Sequence, residues 1–304
     1  MNVFITGGTG FVGGALARHL AGQGHDVTIL TRTAGALKHP DEKLRLLLGD
    51  PTKEGVWQET AGRAKAVINL AGSSIFRRWA REAKLDIQSS RLLTTRNLVE
   101  AMATAGGRDK VLLSTSAVGY YGSRGEEELT EITPRGEGFL AELSQDWEAE
   151  ALKAEEHGVR VCLMRFGVVL AGGGGALSKI LKPFRLGLGG RLGHGRQWFS
   201  WIHRQDLVRA AEFLLNTPQA RGPFNFTAPG VVRNKEFTLA LGQALGRPTI
   251  IPLPGFMVKS MLGEFGSVLL EGQKVMPKKL LDLGFKFQFP TIYDALAEIL
   301  RRAD

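Results

Sequence analysis

The sequence predicts an α/β fold, a doubly wound parallel sheet with a smaller C-terminal lobe. Three observations predict it. Short apolar runs alternate with longer amphipathic ones through the first half of the chain, the order that strand–helix–strand units require. Most of these runs are continuous in Val, Ile and Leu, as strands covered on both faces must be. Three glycines, Gly7, Gly10 and Gly13, stand between the first run and the first helical pattern.

Taken in order, a strand is expected at 2–6 and a helix at 11–22, ending near Gly22 and Gly24, where a left-handed residue can stop it. Strands follow at 26–31, 44–49 and 66–71, then a helix at 84–105, a strand at 110–115, a helix at 139–157 and a strand at 159–166. Right-handed crossovers between such units give a parallel sheet. After Phe166 the chain becomes rich in glycine and basic residues and carries Trp198 and Trp201. Helical patterns at 205–216 and 235–245, an apolar stretch at 249–253 and a stripe of Ile292, Leu296, Ile299 and Leu300 complete it.

Hydrophobic residues at 43% and charged residues at 23% over 304 positions exclude disordered and collagen-like chains. The net charge of +9 suggests anionic partners. Lys and Arg form no consecutive block, so a phosphate-bearing small molecule is expected and a nucleic acid is not. A single cysteine, Cys162, gives no disulfide framework, and the spacing of the six histidines gives no metal cluster. No run reaches the length of a membrane span, and a strand opens the chain without a charged leader. We expect a cytoplasmic protein without a membrane partner; homodimer formation is left open.

The glycines form GxxGxxG directly after a strand and at the start of a helix. The first permits a tight turn, the second lets backbone approach a pyrophosphate, and the third lets the helix pack on the strand. Thr9, Phe11 and Val12 belong to the same loop, and the helix N-terminus offers free N–H groups to phosphates. The expected architecture is a dinucleotide-binding domain over 1–170, recruiting later segments such as 195–230. A smaller substrate lobe over 171–304 would not fold alone. NAD enzymes place an Asp or Glu at the end of the second strand for the ribose 2′-OH. Here "VTILTR" ends in Thr31 and Arg32. A guanidinium there suits a 2′-phosphate, so NADP(H) is expected in preference to NAD(H).

These residues resemble the short-chain dehydrogenase/reductase superfamily, in its extended, sugar-nucleotide epimerase-like branch with a Rossmann fold. The resemblance rests on "TGGTGFVG", "INLAG" at 68–72, "LLSTSAVGYYG" and "WIHRQDLVRA". More narrowly, "RFGVVL", "PFRLGLGGRLGHGRQWFSWIH" and "GQKVMPKKLLDLGFKF" look like an atypical subfamily known only as epimerase family proteins. The resemblance covers nearly the whole chain. It implies that Leu70, Ala71 and Gly72 line the nicotinamide-side ribose and that Asp50 lies beside the adenine. It also implies that Asp86, Arg91 and Ser114 lie near the cofactor, and that Val169 closes over the nicotinamide end.

That superfamily uses a tyrosine as acid–base with a lysine four residues on, on one helical face. Ser116 fits its substrate-orienting serine. Phe139 and Leu143 stand where the tyrosine and lysine belong, and neither moves a proton. Tyr120 and Tyr121 follow the serine strand and could take over, or could make structural hydrogen bonds. His203 could bind substrate or shuttle a proton, or could be packed. Arg191 and Arg196 could clamp an anionic substrate, and Trp201 could stack on a ring or fill the core. Two functions remain in view: an NADP-dependent oxidoreductase or epimerase acting on a carbonyl, sugar or sugar-nucleotide-like substrate, and a non-catalytic NADPH sensor.

Overall fold

The computed structural model describes residues 1–33 and 43–301. Seven strands form one wholly parallel sheet: β1 (Asn2–Thr6), β2 (Asp26–Thr31), β3 (Leu44–Leu48), β4 (Ala66–Asn69), β5 (Val111–Ala117), β6 (Arg160–Phe166) and β7 (Gly222–Phe226). Their spatial order is β7-β6-β5-β4-β1-β2-β3. The order reverses between β1 and β4, which opens a crevice at the C-terminal strand ends.

The continuous apolar strands are explained by what lies on each face. Val3, Ile5, Ile68, Leu113 and Met164 enter a core beneath α1 (Gly13–Gly22) and a later helix, Arg204–Leu215. Their immediate neighbours Phe4, Val67, Leu112 and Leu163 enter a second core. That core lies beneath α2 (Trp57–Arg63), α3 (Arg81–Thr104) and α4 (Phe139–Leu152). Each large buried side chain stabilises the fold by about 1.5–3 kcal/mol, so neither face tolerates the polar half of an alternating pattern.

Beyond the sheet lie α5 (Gly175–Arg185), α6 (Arg204–Leu215), α7 (Asn234–Leu245), α8 (Gly255–Leu262), α9 (Glu264–Leu270), α10 (Lys278–Asp282) and α11 (Ile292–Arg301). A third core joins α5, α7 and α11 through Leu177, Phe237, Leu241, Leu296 and Ile299. Several elements were not expected from the sequence, α2 and α10 among them. The β7 strand contains Gly222 and Pro223; it is an edge strand, where a missing N–H costs nothing. Helix α5 begins at Gly175, with φ 66°, and contains Pro183, yet it buries Leu177, Leu181 and Phe184. The α8–α9 pair follows the apolar stretch at 249–253, which forms only a single bridge, Leu192 to Leu253. The helix expected at 139–157 ends at Leu152 and continues as a tighter turn, closed by left-handed Gly158. Among the described residues no helix is long and apolar enough to cross a membrane.

Candidate dinucleotide site and the adjoining cleft

The loop between β1 and α1 is built so that side chains cannot enter it. Gly7 has φ 69°, and a Cβ there would lie 2.7 Å from the Leu70 carbonyl carbon. A Cβ at Gly13 would sit 2.2 Å from the Gly7 oxygen, and one at Gly8 2.6 Å from Ile29 Cγ2. At Gly10 the nearest atom would be the Gly7 oxygen at 3.2 Å, with the outer side open. Gly7 therefore makes the turn, Gly8 and Gly13 press the loop onto its surroundings, and Gly10 leaves an approach for a ligand. Gly8 was absent from the sequence-based set. This cradle fits a pyrophosphate, which needs exposed backbone N–H groups and no Cβ in the way.

Thr31 is buried at the end of β2, and its hydroxyl accepts a hydrogen bond from Thr33 N at 3.3 Å. Arg32 is exposed beside it. Asp50 follows β3 and accepts from Thr52 N at 3.0 Å and Thr52 Oγ1 at 2.8 Å. Burial works against the Asp50 charge, but the two Thr52 hydrogen bonds and the nearby Arg32 and Lys53 charges hold its carboxyl below the ordinary value. Asp50 is thus an anion in electrostatic reach of Arg32, and Arg32 is the first cation past the second strand.

At the end of β4, Leu70 and Ala71 are half-buried and Gly72 is exposed. The Arg91 guanidinium from α3 lies against Gly72, where a Cβ would meet its Cζ at 3.0 Å. Arg91 Nη1 donates to Ile87 O at 2.9 Å and Ser73 O at 3.1 Å. Burial pulls Arg91 down to about 10; Asp86 acts in the opposite direction and Arg77 adds to the fall. Asp86 itself is half-exposed, ion-paired with Arg77 and bonded by Ser73 Oγ at 3.2 Å. Beneath them Thr6, Asn69, Thr95 and Trp147 form a buried chain of hydrogen bonds of 2.8–2.9 Å.

In the middle of β5, beside the last residue of β4, the Ser114 hydroxyl is buried without a hydrogen-bond partner. Ser116 is occupied: its Oγ donates to Glu148 Oε1 at 2.6 Å. Glu148 is gripped on both oxygens by Arg165, Nε to Oε1 and Nη2 to Oε2, each at 2.7 Å. Arg165 Nη1 also donates to Tyr121 OH at 2.9 Å, and Tyr121 donates to Asn225 Oδ1 at 2.7 Å. Burial opposes the Arg165 charge, but Glu148 outweighs it and holds the guanidinium above its ordinary range. Burial pushes Tyr121 up to about 12, against the pull of Arg165. Tyr121 is fully buried, and its hydroxyl makes both hydrogen bonds inside the protein, as in the structural alternative the sequence left open. Tyr120 is half-buried, with the Arg165 guanidinium 3.6 Å from its ring centroid.

The second half of the chain meets the glycine loop at Phe11. A Cβ at Gly174 or Gly175 would lie 2.6 or 2.7 Å from the Phe11 ring, and Arg204 stacks 4.7 Å from its centroid. Val12, Leu70 and Val169 pack against the same core. His203 and Trp201 are both packed, one of the two alternatives the sequence left open for each. His203 is buried, accepts from Gln205 N at Nδ1 and caps α6, leaving Nε2 to donate to Glu298 at 3.0 Å. Burial lowers its pKa, with Glu298 acting the other way. Trp201 is fully buried in the third core and donates to Gly230 O at 3.0 Å. Arg191 and Arg196 are exposed; Arg191 borders a hollow of about 180 Å³ with Lys235, Thr249 and Ile250. Among the described residues no group of acidic, His or Cys side chains could hold a metal ion.

The model of the NAD dependent epimerase/dehydratase family matches residues 3–226, and a domain of unknown function, DUF1731, matches 253–299. The chain belongs to the epimerase/dehydratase family. It is 41% identical over 99% of its length, and 87% of the relative's, to the chloroplastic "epimerase family protein SDR39U1 homolog" of Arabidopsis thaliana. It is 38% identical to an epimerase family protein of Staphylococcus epidermidis, over 98% of both chains. The crystal structure of human epimerase family protein SDR39U1 with NADPH superposes with a TM-score of 0.86 at 36% identity, covering 99% of both chains.

The two residues that the resemblance places at the acid–base positions lie in an apolar cluster. Phe139 and Leu143 on α4 join Trp79, Ile87 and Phe265 in one cluster, with the Phe139 ring edge-on to Trp79 at 5.1 Å. The residues that sequence reasoning missed are Glu148, Arg165 and Asn225. Arg165 carried a signal, a charge within the apolar run "VCLMRF", because a strand buried on both faces admits a cation only with a partner. Glu148 had none, since one Glu on an amphipathic helix is ordinary.

Proposed function

We propose that this epimerase-family protein binds NADP(H) in preference to NAD(H) and uses it on an anionic small-molecule carbonyl, sugar or sugar-nucleotide-like substrate through an atypical active site. The observation that carries the cofactor reading is Arg32 at the end of β2, where a 2′-OH reader would present a carboxylate, beside the glycine cradle. NADPH in the human relative's crystal supports the same reading.

In this reading Gly7, Thr9, Gly10, Phe11, Val12 and Gly13 carry the pyrophosphate, Thr31 and Arg32 the 2′-phosphate, and Asp50 the adenine side. Leu70, Ala71, Gly72 and Arg91 carry the nicotinamide-side ribose, with Asp86 holding Arg77 and adding a favourable charge near Arg91, and Ser114 and Val169 at the ring. The nicotinamide supplies hydride exchange when bound. Ser116 spends its proton on Glu148, so its free lone pair accepts from a substrate hydroxyl. Tyr120 is the phenol left to exchange a proton at the β5 end.

The apolar cluster at Phe139 and Leu143 favours a second reading, an NADPH sensor that does no chemistry. Both are tested together. Arg32→Ala weakens NADPH binding roughly ten- to hundredfold, the worth of a charge-assisted hydrogen bond or two, and leaves NADH binding unchanged in a calorimetric titration. Equal losses for the two cofactors refute the 2′-phosphate assignment. NADPH oxidation across a panel of carbonyls and sugar nucleotides supports the enzyme; tight binding with silence across the panel supports the sensor.

A further inference from the structure

Two segments far apart in sequence are zipped into one surface on the second lobe. Leu253 N donates to Arg191 O at 2.9 Å and Gly193 N to Leu253 O at 2.8 Å. A Cβ at Gly190 would lie 1.7 Å from Ile251 O, so no side chain separates the strands of this zip. The surface so formed is strongly apolar: Leu186 is 74% exposed, Ile250 80%, Phe256 75% and Met261 66%. Val258 is the one buried residue of α8, so this helix lies on the molecule rather than in it. Lys182 and Arg185 precede Leu186, Lys259 lies between Phe256 and Met261, and Arg191 and Lys235 line one hollow with Ile250; all five cations are exposed. Neither 171–205 nor 237–263 contains an Asp or Glu.

We propose that this face docks on an anionic lipid surface. Exposed Phe, Met, Ile and Leu side chains would enter the headgroup–acyl boundary while the surrounding cations meet the lipid phosphates, the two-part attraction of an interfacial helix. A second copy fits poorly, because a two-fold contact would set these cations against their own image, and the flanking carboxylates Glu236 and Glu264 are already engaged by Arg233 N and Lys84. The expectation of no membrane partner rested on the absence of a spanning run; a helix lying on the surface needs none. The proposal is independent of the cofactor reading.

The test is co-sedimentation of the full chain with vesicles of phosphatidylcholine alone and of phosphatidylcholine with phosphatidylglycerol. Binding is expected only with phosphatidylglycerol, weakening as salt is raised. Lys182→Glu with Arg185→Glu lowers partitioning by about fivefold for each charge removed, or more. Phe256→Ser with Met261→Ser lowers it as well, and because these residues are exposed, the thermal midpoint is unchanged. Absence of binding to phosphatidylglycerol vesicles overturns the proposal, as does binding that ignores both variant pairs. Loss of a dimer in light scattering for Phe256→Ser with Met261→Ser, without vesicle binding by the wild type, assigns the face to a second copy instead.

Discussion

Replacing Arg165 with Met isolates the buried network at the end of β5. The residue is 3% exposed and makes two 2.7 Å bonds to Glu148, one 2.9 Å bond to Tyr121 and a 3.6 Å stack on Tyr120. Met has similar length and no charge, so the change leaves the Glu148 carboxylate buried with Ser116 as its remaining side-chain donor. Breaking a buried pair from one side costs about 3–5 kcal/mol. An unfolding entropy of about 2.1 cal/mol/K per residue gives this chain roughly 0.6 kcal/mol/K, so a 4 kcal/mol loss lowers Tm by about 6 °C. Urea unfolding followed by circular dichroism measures the loss directly, with an unchanged m-value. The double variant Glu148→Leu with Arg165→Met removes both charges and recovers most of the stability, since an apolar pair can replace a buried ion pair. A loss below about 1 kcal/mol for Arg165→Met, or a double variant worse than the sum of its singles, refutes the assignment of this pair as mutually dependent buried charges.

Two further outcomes follow from the same geometry. Gly13→Ala places a Cβ 2.2 Å from the Gly7 oxygen. It costs about 1–3 kcal/mol of stability and lowers NADPH affinity about tenfold or more in a fluorescence titration. Gly22→Ala meets nothing within 4 Å and leaves affinity unchanged. His203 has a folded pKa below its ordinary 6.5, so the unfolded chain takes up the proton first as pH falls below that value. Stability present above pH 6.5 is therefore lost in acid. His203→Asn keeps a capping acceptor and flattens that part of the stability–pH curve; an unchanged slope places the titration elsewhere.

How far the site was legible depended on how local its cause is. Gly7 and Gly13 could be read because a turn followed by a packed helix start requires glycine within a few residues. Arg91 could be placed on a helix but not against Gly72, because that contact depends on how α3 crosses the end of β4. Tyr121 and Tyr120 are neighbours with the same chemistry in sequence. They differ because the tight turn after β5 points one into the Arg165–Asn225 network and leaves the other half-buried. His203 and Trp201 looked available because an imidazole can shuttle a proton and an indole can stack on a ring, and nothing local shows whether either is packed. Both are instead anchored by partners nearly thirty to about a hundred residues away, Gly230 and Glu298.

Hydrophobic period, glycine placement and the residue after β2 determine the doubly wound sheet, the glycine loop free of side chains and an arginine after the second strand. Each depends on backbone conformation or burial over a short span, which the chain encodes locally. The tertiary structure alone decided which polar groups are already satisfied: Ser116 by Glu148, Glu148 by Arg165, Tyr121 by Asn225, His203 by Glu298. It also decided that α8 lies outside with its apolar side chains uncovered. Satisfaction and exposure are properties of long-range contact, since a buried polar group is stable only where a partner from another element arrives, and no local pattern specifies which one does.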